Sequence, residues 1–189
     1  MAIAATSSQQ CSLSEFLLLP ETKPASEYIN GQIQQKPMPQ GKHSILQGRL
    51  VTEINRMAQP YQLAYAFPEL RCTFGGRSLV PDIAVFEWSN IPVDDNGEIQ
   101  NRFTVTPDWV IEILAPEQSP PRVIEKILFA LQHGSKLGWL IAPDDYSVTI
   151  FYPDKLAEFK ENDGILTVLP ALETWEVTAQ ELFSWLRLI

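Results

Sequence analysis

The chain has 189 residues, of which 45% are hydrophobic, 10% aromatic and 20% charged, with a formal charge of −9. That length suits one domain able to bury roughly 70% of the surface its unfolded form exposes, and the composition excludes intrinsic disorder. The acidity excludes a general nucleic-acid binder, because phosphate contacts draw their affinity from clustered lysine and arginine, so any surface meant for DNA must be local.

Residues 1–11 read as a loose tail ahead of a single domain over 12–187. SLSEFLLLPE suggests a short helix ending before Pro20. In EYINGQIQQ the Asn30-Gly31 pair between two alternating runs predicts a β-hairpin, since a two-residue turn of that type needs positive φ at both positions. Over residues 42–58, Leu46, Leu50, Ile54 and Met57 recur at helical spacing, with Arg49 and Arg56 on the opposite side. ELRCTF, a Gly75-Gly76 turn and SLVPDIAVF read as two antiparallel strands, with Leu70, Cys72 and Phe74 alternating against Glu69, Arg71 and Thr73. Residues 89–106 read as polar loop.

DWVIEIL has the apolar, β-branched character of a strand covered on both faces, and Glu112 is the intruder in it. Pro120 and Pro121 suit the first turn of a helix, which RVIEKILFALQ carries to Gly134, a residue fitted to the left-handed position after a helix. LGWLIAP and SVTIFY flank a Pro-Asp-Asp turn, further short strands are expected at Glu158 and Leu166, and Thr178 with Glu181 predicts a capping box on the last helix. The class is α/β, with a central mixed β-sheet flanked by helices and additional N-terminal and C-terminal β-hairpins. Cys11 and Cys72 are far apart without CxxC spacing, which argues against a disulfide framework or zinc site. No basic-then-apolar leader and no run of about 18 apolar residues occurs, so a cytoplasmic protein with no membrane segment is expected.

Three residues carry chemistry. Asp82 is set among apolar residues where a strand leaves a turn; it faces a catalytic role, water, or a pairing with Arg71 across the hairpin. Glu112, between Val110, Ile111, Ile113 and Leu114, must meet a lysine, an arginine or a metal unless it lies at the strand's wet end, because an unpaired buried carboxylate costs several kcal/mol. Lys126 follows in the next helix and reaches back toward Glu112, unless it belongs to a solvated face. His43 lies on the stripe with Leu50 and Ile54, which suits a core or capping histidine. Glu69 is an auxiliary carboxylate candidate on the strand face of Arg71.

An aspartate after proline in one strand, a glutamate in the next and a lysine close behind resemble the PD-(D/E)XK nuclease superfamily. Leu114 stands where the lysine usually does, so the lysine is displaced to the following helix. With EYINGQI, His43 opening a helix, VPDIAVF, PDWVIEILAP, EKI with LQHG, and GWLIAP, the chain resembles the Uma-type endonuclease family over residues 13–187. The resemblance implies a restriction-endonuclease-like fold and a nuclease hydrolysing phosphodiester bonds, DNA being the substrate, with Mg²⁺ or Mn²⁺ held by Asp82, Glu112 and the carbonyl of Ile113, and with Lys126 as the catalytic lysine. By analogy of fold it also implies a homodimer. Ala115 stands where many members carry serine, and Arg122 where they carry aspartate; Arg122 either adds positive charge that helps bind a phosphate or marks a drifted, inactive site. The competing reading is a nuclease fold without catalysis that binds protein or nucleic acid.

Overall fold

A computed structural model describes residues 11–116 and 118–187; of the tail expected at 1–11, all but Cys11 lies outside the described residues. Ser12 opens α1 (Leu13–Phe16) through a reciprocal pair of hydrogen bonds with Glu15. The helix stops after one turn, with Phe16 as its one buried residue. β1 (Ser26–Ile29) and β2 (Gln32–Gln35) form the hairpin expected at Asn30-Gly31, with φ of 51° and 81° at the two turn residues. α2 (Gly41–Ala58) buries Leu46, Leu50 and Ile54 of its apolar stripe together with His43, whereas Met57, the fourth residue of the stripe, is only partly buried.

β3 (Ala64–Pro68), β4 (Cys72–Phe74), β5 (Arg77–Leu79) and β6 (Ile83–Glu87) come next. β7 (Trp109–Ile113) leads into α3 (Pro120–Gln132), then β8 (Leu137–Ala142), β9 (Ser147–Phe151), β10 (Glu158–Lys160) and α4 (Ala179–Ser184). One sheet of four strands has the order β2-β1-β5-β4, and one of six has the order β10-β9-β8-β7-β6-β3. In the larger sheet β7 and β8 run parallel and the other neighbours antiparallel, which makes it mixed. β9 and β10 form the C-terminal hairpin, which extends the edge of this sheet.

The main departure from the sequence reading lies in SLVPDIAVF, which is two strands in two sheets. β5 pairs with β4 across the Gly75-Gly76 turn, but β6 pairs with β3 and β7. Pro81 has no N–H to extend a ladder, so the chain leaves one sheet and enters the other at residues 80–82. β3, which the sequence pattern does not predict, takes the edge place next to β6. Leu166 is not in a strand: the segment makes one isolated bridge, Ile165 with Thr178. Thr178 accepts from the Glu181 N–H at 3.1 Å, but among the hydrogen bonds of the described residues the return arm of the expected capping box is missing. The stretch 89–106 is loop, yet it anchors itself by burying Phe103 against the core and bridging it to Cys72.

Every residue of β7 is buried. Trp109, Ile111 and Ile113 face one apolar cluster with Leu46, Leu50 and Ile54 of α2, whereas Val110 faces a second with Val123, Ile127 and Ala130 of α3. β6 divides the same way, Ile83 and Val85 toward α2, Ala84 and Phe86 toward α3. Because strand side chains alternate, Glu112 falls on the α3 side with Val110, while Asp82, just ahead of β6, meets His43 of α2. Ile83 pairs with Ile111, so Asp82 and Glu112 follow one step further along, at the open end of the ladder. Among the described residues no helix is long and apolar enough to cross a membrane.

Candidate active site

At that open end five buried charges meet. Asp82 and Glu112 are each 3% exposed, and Lys126, on α3 between Val123 and Ile127, is also buried. The Lys126 ammonium lies 2.9 Å from Glu112 Oε1, so the lysine reaches back to the strand as its position predicted. Asp82 Oδ2 accepts the Ile113 N–H at 2.7 Å, which ties it to the residue following Glu112.

Two members of the cluster come from the N-terminal hairpin, where the sequence predicts a turn and no chemistry. Glu27 of β1 takes the Lys126 ammonium on both oxygens, at 3.0 and 3.1 Å. Lys36, just past β2, donates to Asp82 Oδ1 at 2.7 Å. The same two side chains satisfy the backbone where the chain changes sheets. Glu27 Oε1 accepts the Val80 N–H at 2.8 Å, and Lys36 donates to the Val80 carbonyl at 2.7 Å. Buried backbone groups without a ladder partner need such replacements. The one signal available in the sequence was a glutamate and a lysine bracketing a short hairpin otherwise built of amides and apolar residues.

His43, read as a core or capping histidine, is buried at the start of α2, and its Nε2 lies 3.1 Å from Asp82 Oδ2. It therefore joins the cluster, while its Nδ1 has no hydrogen-bond partner. Gln47, one turn on, donates to the Asp82 carbonyl at 2.8 Å. Glu69 lines the small cavity that Asp82, Lys36 and His43 also line. Its φ of 47° breaks the expected alternation, and what it brings to Asp82 is its backbone N–H, donated to the Asp82 carbonyl at 3.1 Å. Arg71 does not pair with Asp82; its guanidinium grips Glu21 at 2.6 and 2.9 Å and the Ser26 carbonyl at 2.9 Å, which fastens the segment before β1 to the smaller sheet. Arg122 is exposed at the start of α3.

Three carboxylates, from Glu27, Asp82 and Glu112, face two ammonium groups. Burial is the largest influence on Asp82 and opposes its ionisation, but Lys36 and His43 outweigh it and hold the carboxyl well below its usual range. Glu112 is pushed up to about 7, by burial first and by Asp82 and Glu27 next, against the pull of Lys126 and Lys36. Burial disfavours the Lys126 ammonium, yet Glu112, Glu27 and Asp82 together raise its pKa, so it stays charged. The excess negative charge of the cluster thus resides where a proton, or another cation, is taken up at Glu112.

A cleft of about 730 Å³ opens beside these groups, lined by Gln34, Gln35, Lys36, Gln118, Arg122 and Lys126 among others. Glu27 and Glu125 line it too, so its wall sets amides and the cations of Lys36, Arg122 and Lys126 against two carboxylates. The donor chemistry fits a hard divalent cation, which takes carboxylate and carbonyl oxygens and in the case of Mg²⁺ binds through one or two carboxylates while keeping several waters. Among the described residues no group of three or more His, Cys, Asp and Glu is arranged to hold a metal, so the fit is to a water-rich site and not to an all-protein cage.

A family model described as "Uma2: Putative restriction endonuclease" matches residues 13–180. Among solved structures the chain is similar to a crystal structure from Anabaena variabilis ATCC 29413, titled as a "putative nuclease belonging to DUF820". The two are 50% identical, the match covers 94% of this chain and 99% of that one, and the TM-score is 0.92. No curated protein matches the chain. The architecture, a mixed sheet between helices with an added small sheet, is restriction-endonuclease-like, as expected.

Proposed function

The chain belongs to the Uma2 restriction-endonuclease family, and from that premise we propose that it is a cytoplasmic, divalent-metal-dependent nuclease hydrolysing phosphodiester bonds of DNA. The observation that carries this reading is the meeting of Asp82, Glu112 and Lys126 at the end of two adjacent strands, beside a cleft that Lys36 and Arg122 line. Buried charges are expensive, and a fold that gathers five of them at one strand end has a use for them beyond stability.

Asp82, Glu112 and the Ile113 carbonyl would hold Mg²⁺ or Mn²⁺. When bound, such an ion polarises a phosphodiester and acidifies a water. The chain's own residues do the rest. His43 and the Ile113 N–H fix the rotamer of Asp82. Lys126 keeps Glu112 and Glu27 from repelling each other and sets a positive charge beside the phosphate, where negative charge develops during the reaction. Arg122 and the glutamines of the rim receive the strand. A homodimer would bring two such local rims onto one duplex, which offsets the overall charge of −9.

The test is cleavage of plasmid and of single-stranded DNA with Mg²⁺, Mn²⁺ or EDTA, using the wild type, Asp82→Ala and Glu112→Ala. Metal-dependent cleavage is expected for the wild type, falling at least about 100-fold in either variant while the circular dichroism spectrum is kept. Wild-type protein that leaves DNA intact, or cleavage that survives Asp82→Ala, sinks the proposal. The second reading, a nuclease fold that binds without cutting, is favoured by one observation: both acids already have an ammonium on them. It predicts DNA or protein binding that is indifferent to metal.

A further inference from the structure

The two lysines of the cluster spend their hydrogen bonds differently. An ammonium has three N–H donors. Those of Lys126 are surrounded by Glu27 Oε1, Glu27 Oε2 and Glu112 Oε1, which leaves none for a ligand. Lys36 has two acceptors, the Val80 carbonyl and Asp82 Oδ1, both at 2.7 Å, so one donor remains. Its side chain lines the 730 Å³ cleft and also the small cavity above Asp82 and His43.

The oxygens of Asp82 are divided with equal clarity. Oδ2 is committed to the Ile113 N–H and to His43. Oδ1 is the oxygen open to another cation, and Lys36 holds it. A divalent ion and an ammonium on one buried oxygen repel each other strongly, so they exclude one another.

We infer that Lys36 is a tethered counter-cation: it neutralises Asp82 in the metal-free protein, yields Oδ1 to a divalent ion, and turns its ammonium to a substrate phosphate in the cleft. This deepens the nuclease reading and rests on it. Metal and DNA are coupled through one side chain, since the ion frees the lysine that the phosphate then receives. Lys36 follows β2 directly, and its backbone N–H is bonded to the Ala25 carbonyl at 2.9 Å, so the main chain stays anchored while the four-carbon stem swings.

Calorimetric titration with Mn²⁺ alone, without DNA, tests the exchange on the wild type, Lys36→Met and Lys36→Arg, with Lys36→Gln as a substitute if the methionine variant does not fold. Removing the competing charge is expected to tighten Mn²⁺ binding by about tenfold or more, whereas the arginine variant, which keeps the charge, stays near the wild type. In EDTA the methionine variant unfolds at a lower temperature than the wild type, and Mn²⁺ raises its midpoint further. Binding of a fluorescent DNA duplex in Ca²⁺ tests the phosphate contact: the variant loses about one unit from the slope of log K against log salt. A folded Lys36→Met or Lys36→Gln protein that binds Mn²⁺ no tighter than the wild type overturns the exchange, and an unchanged salt slope overturns the phosphate contact. Wild-type protein that binds Mn²⁺ and cuts DNA while either result stands sinks this inference alone. Absence of Mn²⁺ binding in the wild type sinks it together with the nuclease reading.

Discussion

Replacing Lys126 by methionine removes the ammonium that stands between Glu27 and Glu112, at 2.9 to 3.1 Å from three of their oxygens. Methionine keeps nearly the length and volume of the buried lysine stem, so the loss measures chiefly the charge. Breaking a buried pair by taking away one partner costs about 3–5 kcal/mol, because the remaining charge is buried without compensation. At roughly 2–4 °C per kcal/mol for a chain of this size, the unfolding midpoint should fall by roughly 10 °C. The assay is urea and thermal unfolding in EDTA, followed by circular dichroism. Adding Glu112→Gln to Lys126→Met removes one of the stranded carboxylates and should recover part of the loss. The exposed pair of Lys155 with Glu158, at 3.0 Å, supplies the comparison: Lys155→Met should change stability by less than about 0.5 kcal/mol. A Lys126→Met protein within about 1 kcal/mol of the wild type, or a double variant no more stable than the single one, would refute the buried network as described.

The metal-free protein should also show the cluster in its pH dependence. Glu112 titrates near 7 in the folded chain and near 4.5 unfolded, so its contribution is fully present below 4.5 and is lost as pH rises toward 7. Asp82 runs the other way: its folded pKa is lowered, so its contribution is present above about 3.8 and is lost as the pH falls below that. Urea midpoints in EDTA should therefore decline from about pH 4.5 to 7, and Glu112→Gln should flatten that decline; an identical profile for the variant would refute the assignment. A third prediction concerns the seat of α3. A Cβ added to Gly138 of β8 would run into Ile127, so Gly138→Ala should cost about 1–3 kcal/mol and reduce cleavage by shifting Lys126 away from Glu112. Unfolding and activity measured on the same preparation check both parts.

Much of this protein is local and was legible in its sequence. The Asn30-Gly31 turn, the stripe of α2, the double burial of β7 and the start of α3 at Pro120 follow from residue preferences and periodicity, which act over a few residues. Glu112 was legible for the same reason, since a carboxylate in an apolar strand stands out against its immediate neighbours. Lys126 was legible because a helix directly following a strand packs back on it.

What the tertiary structure alone decided is which distant charges share the site. Glu27 and Lys36 arrive through the small sheet, whose placement depends on the chain crossing between sheets at residues 80–82. That crossing also undid the pairing of Arg71 with Asp82. Periodicity tells which face of an element is buried, but it carries no information on what another element presents to that face. Ion pairs between residues far apart in sequence are settled by the closing of the chain and by the need of every buried charge and every orphaned backbone group to find a partner.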